Sequence, residues 1–192
     1  MNADERFGPG DHLRVRRRNL YYHHGIYVGD GHVVEFGGAS WKTKHRAKVR
    51  VASLRCFEQG SGRVELVDHS DSTASGIHLP DPLPKDEIVA RAEWLAENTP
   101  QRLYSLVGSN CEHVANWCVT GWFESAQVRR FFLGWAIVTP LLAGTLFRAK
   151  RLPLWLAMPI GVAGFILPYR YNRDPFKWAQ IIGSWPGIEG SR

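Results

Sequence analysis

Between residues 11 and 68, β-branched and aromatic residues alternate with polar ones in short runs, the pattern of half-buried strands. Strands are predicted over 11–18, 22–28, 32–36, 48–54 and 63–68, with a turn at Gly60-Ser61-Gly62 before the last. Residues 70–84 are rich in Ser, Asp, Gly and Pro and read as a loop. The period then changes. From Pro84 to Asn98, residues Ile88, Val89, Ala92, Leu95 and Ala96 recur at helical spacing and predict an amphipathic helix. After a linker at Tyr104 to Gly108, Ser109 with Glu112 three residues on makes a capping-box pattern. The helix it starts is closed by Gly121. Strands followed by helices predict an α+β fold, an antiparallel sheet with the helices gathered on one side.

The last third of the chain is patterned differently. Residues 131–147 and 152–169 carry no charge, and Arg148-Ala149-Lys150-Arg151 separates them. As helices these runs would be ~25–27 Å long, a little short of a ~30 Å hydrocarbon core. Trp135, Trp155 and Tyr169 suit interfacial anchoring, Pro140 and Pro159 would kink the helices, and the short connection makes the pair antiparallel. The expected organisation is a domain over 1–128 that carries the chemistry. A hydrophobic, membrane-associated region over 129–192 follows and contains a helical hairpin. A soluble helical cap or an oligomerisation surface is the other reading. Residues Met1 to Arg6 lack the apolar core of a secretory signal, so the first domain is expected in the cytoplasm.

Gly29-Asp30-Gly31 lies between two apolar runs and signals a hairpin. With Asp30-Gly31 alone as the turn, Gly29 faces His32, and His23 and Glu35 point to opposite faces. With all three residues in the loop, Val28 faces His32 and Gly25 faces Glu35. The longer loop is preferred because it puts His23 diagonal to Glu35, within side-chain reach. One face then carries Ile26, Val28, Val34 and Phe36. The other carries His23, Gly25, Tyr27, Val33, Glu35 and Gly37, its glycines leaving room for another element. His24 and His32 fall opposite His23 and read as structural or surface residues.

Cys111 is expected at the second position of its helix, where free backbone N–H groups and the helix dipole favour an anion. Its thiol is expected to react as thiolate. A histidine beside a carboxylate is held in one tautomer and made more basic. Cysteine, histidine and an orienting third group are the working set of covalent acyl transfer. Cys111, His23 and Glu35 are therefore the candidate catalytic residues, as nucleophile, base and orienting group. A buried structural cysteine, a strand histidine and a solvated carboxylate are the plain alternatives. No CxxC, HExxH or paired-histidine helix is present, and no metal is expected.

The segments PGDHLRVRRRNLYYHHGIYVGDGHVVEF and NCEHVANWC, followed by ESAQVRR, resemble the lecithin:retinol acyltransferase-like family of the circularly permuted NlpC-type papain-like superfamily. The resemblance runs from about Pro9 to Val128. The first segment is similar to the family's histidine box. The second is similar to its Asn-Cys-Glu-His-Phe signature, with Val114 in place of Phe. The third is similar to the stretch that follows in the phospholipase A/acyltransferase branch. The resemblance implies a permuted papain-like fold, Cys111 as nucleophile, His23 as general base and a structural or site-shaping role for His113. The third member in the lipid-acting branch is usually a second histidine; Glu35 holds that position here. A carboxylate orients and stabilises imidazolium at least as well as a neutral ring does. A C-terminal membrane anchor, frequent in the family, fits the apolar runs, and no cofactor is implied.

Composition adds bounds. The 192 residues, 44% hydrophobic and 22% charged, suit one globular domain and an appendage. Three cysteines without framework spacing suit free thiols in a reducing compartment. Cys111 and Cys118 lie ~10 Å apart along one helix, too far for a disulfide. The net charge of +6 gathers in Arg14, Arg16, Arg17 and Arg18 and in Lys42, Lys44, His45, Arg46, Lys48 and Arg50. Such clusters suit an anionic lipid surface or nucleic acid, and solvated strand edges are the plain alternative. No nucleic-acid fold signature accompanies them, and no nucleic-acid partner is expected. The expected function is a thiol-dependent acyltransferase or phospholipase acting on phospholipid or other acyl-lipid substrate at a membrane. An NlpC-type cysteine peptidase or amidase is one alternative. A non-catalytic membrane- or partner-binding module on the same scaffold is the other.

Overall fold

The computed structural model describes residues 6–17, 21–37, 47–58, 63–69, 80–101, 103–104, 109–148 and 175–187. The strands are β1 (His12–Arg17), β2 (Tyr21–Gly29), β3 (His32–Gly37), β4 (Lys48–Ser53) and β5 (Val64–Leu66). They form one antiparallel sheet in the order β4-β3-β2-β1-β5. The helices are α1 (Leu54–Glu58), α2 (Lys85–Asn98), α3 (Cys111–Thr120), α4 (Ala126–Arg148) and α5 (Pro175–Gly183). The fold is α+β, with the strands where the alternation placed them and β5 shorter than expected.

Alternation along β2 and β3 sends Ile26, Val34 and Phe36 to one face. There they pack on Ile88, Ala92 and Leu95 of α2 and on Val114 and Cys118 of α3. The helices are not all on that side. Leu13, Val15, Tyr27 and Val33 fill a second core under Leu54 and Phe57 of α1, a short helix the sequence reading did not contain. Gly25 makes this approach possible, since a Cβ there would lie 2.9 Å from the Phe57 ring. On the main face, α5 adds Trp178, whose ring lies 5.5 Å from that of Phe36 and 4.9 Å from that of Phe123. Trp185 just beyond it meets Trp94 at 5.4 Å and Trp117 at 6.4 Å. Residues 175–187 thus pack on the core built by α2, α3 and the sheet.

The β2–β3 hairpin departs from the expected loop. Asp30 and Gly31, at φ 51° and 71°, make a two-residue turn, and Gly29 pairs with His32. The register shifts between Tyr27↔Val33 and Gly29↔His32, leaving Val28 as the extra residue of a β-bulge. That bulge returns Gly25 to a position opposite Glu35. The tight turn and the shared face of His23 and Glu35 are therefore compatible, through a residue the alternation did not reveal.

Helix α4 has 23 residues and is mostly exposed. It is ~34 Å long, enough to cross a hydrocarbon core. It starts ahead of the uncharged run and continues through Pro140. It is a single long apolar helix. The second apolar run, with Trp155, Pro159 and Tyr169, lies outside the described residues.

Candidate functional site

The β2–β3 ladder runs from Gly25↔Glu35 to Gly29↔His32, and Tyr22 lies beyond it. Side chains from two helices meet the backbone of Tyr22 there. Its N–H donates to Gln127 Oε1 at 3.0 Å, and Gln127 Nε2 donates to its carbonyl at 3.2 Å. Cys111 Sγ lies 4.0 Å from that carbonyl. Gln127, in the first turn of α4, thus does for Tyr22 what a neighbouring strand would do.

Cys111 opens α3, and the cap is Asn110, not Ser109. Asn110 Oδ1 accepts from the N–H groups of Glu112 at 3.0 Å and His113 at 3.2 Å. His113 Nδ1 accepts from Asn110 N–H at 3.3 Å, completing the box with an imidazole where the pattern predicts Glu112. Ser109 instead bonds the carbonyl of Leu103. Cys111 is therefore the first helical residue, one position earlier than expected. Glu112 is occupied elsewhere. Its Oε2 accepts from Ser125 Oγ, from Gln127 N–H at 3.0 Å and from Gln127 Nε2 at 3.1 Å. Burial opposes its charge, but His24 and these bonds hold its pKa below the usual carboxylate value.

Cys111, His23 and Glu35 are buried and meet in a row. His23 Nε2 lies 2.7 Å from Glu35 Oε2, and Cys111 is the other group that acts on the same ring. With Nε2 committed to the carboxylate, Nδ1 is the nitrogen left for the sulfur. Burial opposes a charge on His23. Attraction to the Cys111 sulfur, with the hydrogen bond to Glu35, outweighs it and raises the imidazole to about 9. Burial likewise opposes the charge on Glu35, but His23 and then Arg50 lower its carboxyl to about 2. Gly37 leaves the space this pair needs, since a Cβ there would stand 3.3 Å from Glu35 Oε1 and 3.4 Å from His23 Cε1.

Two further residues touch the row. Tyr104, in the stretch read as a linker, has its phenol close enough to Cys111 for the two to act on one another. Its ring packs 4.9 Å from that of Phe36. Burial first, and then the charge at Cys111, push this phenol above its ordinary pKa. Arg50, read only as part of a basic cluster, holds Glu35 Oε1 through Nε at 2.9 Å and Nη2 at 2.7 Å. A side-chain hydroxyl seven residues ahead of Cys111 and an arginine in the strand next to Glu35 are the signals that sequence contains for these two.

The other titratable groups serve the scaffold. His12 bonds His69 at 2.8 Å and His24 at 2.9 Å, a row of imidazoles on the opposite face of β2 from His23. Burial lowers all three, His24 to about 4. Burial also lowers His113 to about 4 and pushes the Cys118 thiol up to about 12. His32 and Cys56 are exposed, and all three cysteines are free. Arginines of the basic clusters have partners of their own. Arg14 binds Glu65 at 2.8 Å and Arg17 the carbonyl of Phe57 at 2.7 Å. Arg18, Lys42, Lys44, His45 and Arg46 lie outside the described residues. A groove of about 420 Å³ between α3 and the root of α4 is walled by His113, Phe123, Val128 and Phe132; neither Cys111 nor His23 lines it.

Comparison with known proteins follows the same segments. A family model described as lecithin retinol acyltransferase matches residues 5–124. Human "phospholipase A and acyltransferase 3" is 32% identical over 159 residues, covering 74% of this chain and 93% of that protein. Bovine "lecithin retinol acyltransferase" is 35% identical over 141 residues, covering 65% of this chain and 60% of that protein. Human "phospholipase A and acyltransferase 5" is 33% identical over 125 residues, covering 62% of this chain and 43% of that protein.

Proposed function

We propose, for a chain that belongs to the lecithin retinol acyltransferase family, that Cys111, His23 and Glu35 transfer acyl groups from lipid esters through an acyl-cysteine. The observation that carries the reading is His23 held at Nε2 by Glu35, 2.7 Å away, with Cys111 acting on the same buried ring. His23 Nδ1 takes the thiol proton as the sulfur attacks the ester carbonyl. Glu35 holds the ring and offsets its positive charge. The Tyr104 phenol donates to the oxyanion. The N–H of Cys111, which the Asn110 cap does not use, donates beside it. Collapse breaks the ester C–O bond, the leaving alkoxide takes the proton from His23, and a thioester remains. Water or another hydroxyl or amine acceptor, deprotonated by His23, then attacks that thioester and frees the sulfur. The relatives' names make phospholipid the first substrate class to test.

Helix α4 supplies the membrane contact. It leaves the folded body at Gln127 with Phe131, Leu133 and Leu141 exposed, while α5 packs in the main core. A chain that departs along a spanning helix and is back in the same core further on crosses twice, and the second uncharged run of the sequence, 152–169, is the stretch available for the return. Free thiols suit the reducing, cytoplasmic side for the folded body.

The test is direct. Full-length protein incubated with phosphatidylcholine vesicles and quenched in acid should carry an acyl mass increment on Cys111 and release lysolipid. Cys111→Ala should show neither while keeping its circular-dichroism spectrum. A wild type that gains no increment and releases no fatty acid overturns the reading.

A further inference from the structure

Arg50 stands on β4 opposite Glu35 in the β3–β4 ladder. Cross-strand neighbours on one face come within side-chain reach, so the pairing itself delivers a guanidinium to this carboxylate. The two oxygens are divided between two elements. Oε1 receives both Arg50 bonds, and Oε2 faces His23 Nε2 at 2.7 Å. Glu35 is buried, whereas the Arg50 side chain is 38% exposed. A carboxylate in that position, facing only an imidazole, can turn about its last torsion. That turn withdraws the acceptor that holds the His23 ring. A two-pronged guanidinium on the far oxygen prevents it and offsets the charge.

We propose that Arg50 is a positioning residue of this site, acting through Glu35 to offset that carboxylate's charge and keep it aimed at His23. The proposal deepens the reaction assigned above and rests on it for its purpose. The groups that face the His23 ring are Cys111 from α3 and Glu35 from β3, with Phe57 of α1 against the ring and His24 next along β2. Arg50 acts on the ring through Glu35.

The experiment reads the sulfur and the ring without any lipid. Alkylation of Cys111 by iodoacetamide is followed against pH by mass on the Cys111 peptide. Cys118, sealed in the core, stays unlabelled in folded protein and serves as the internal control. In Arg50→Gln, Glu35 keeps its charge but loses the guanidinium that offsets and aims it, so the site becomes more negative around the sulfur and the ring is held less firmly. The acid limb of the alkylation profile should therefore move up by about one pH unit. Reactivity at pH 6 should fall about tenfold. Arg50→Lys keeps the charge and should keep the limb near its wild-type position. In a Glu35→Gln background, Arg50→Gln should change nothing further, because its route to His23 is already gone. An acid limb that stays put in Arg50→Gln overturns the proposal, as does a full additional loss in the double variant. Absence of lipid acyl transfer in wild type would instead overturn the reaction and leave this result standing.

Discussion

At the residue scale, the chemistry depends on what surrounds one sulfur. Cys111 has an imidazole, a phenol and a backbone carbonyl around it, and each came from a different depth of the sequence. Cys111 and His23 were legible because a cap pattern and a hairpin place them. Tyr104 was not, since an aromatic residue in a presumed linker looks like packing. Its position is set by tertiary contact with Phe36. The phenol's role makes a specific demand. Tyr104→Phe keeps the ring packing and removes one oxyanion donor, so kcat should fall about a hundredfold, roughly 3 kcal/mol, with KM little changed. Steady-state release of fatty acid measures both constants. An unchanged kcat would remove Tyr104 from the reaction.

At the element scale, the strands and α2 followed from periodicity alone, because each has an apolar face in one of the two cores. Three features did not. The Val28 bulge is invisible to an alternation that both registers satisfy. Asn110 prevailed over Ser109 because its side-chain oxygen serves two N–H groups at once while Glu112 is turned toward Ser125 and Gln127. Helix α1 is too short to show a period. The ESAQVRR segment, legible only as a likeness, proves to be a joint. Gln127 ties the first turn of α4 to Tyr22, between the strand that carries His23 and the helix that carries Cys111. Gln127→Ala should lower acyl transfer about tenfold and cost on the order of 1–3 kcal/mol of stability, read by thermal melting. Gln127→Glu should be worse on both counts, since it sets a second carboxylate against Glu112 and removes a donor. Equal effects of the two substitutions would mean that the joint does not work through these bonds.

At the scale of the whole molecule, apolar runs announced a membrane region, but composition could not say that tryptophans beyond them belong to the core. Trp178 and Trp185 fill the space that Phe36, Trp94, Trp117 and Phe123 leave on the helical face of the sheet. The two-crossing topology proposed above can be tested by labelling. In sealed vesicles, a membrane-impermeant maleimide should modify Cys56 of α1 and a thiol introduced by Ser184→Cys from the same side. A thiol introduced by Ala149→Cys should react only after permeabilisation. Protection of the Ser184→Cys thiol would mean a single crossing. The packing of α5 also governs how this protein can be handled. Halting translation ahead of the greasy runs would not yield a soluble enzyme, because it would strip a plug from the interior and bare a wall of indole and phenyl rings to water. Excising the apolar stretch and splicing a flexible glycine-serine bridge in its stead would keep that plug attached, and with it a body able to fold in detergent-free buffer.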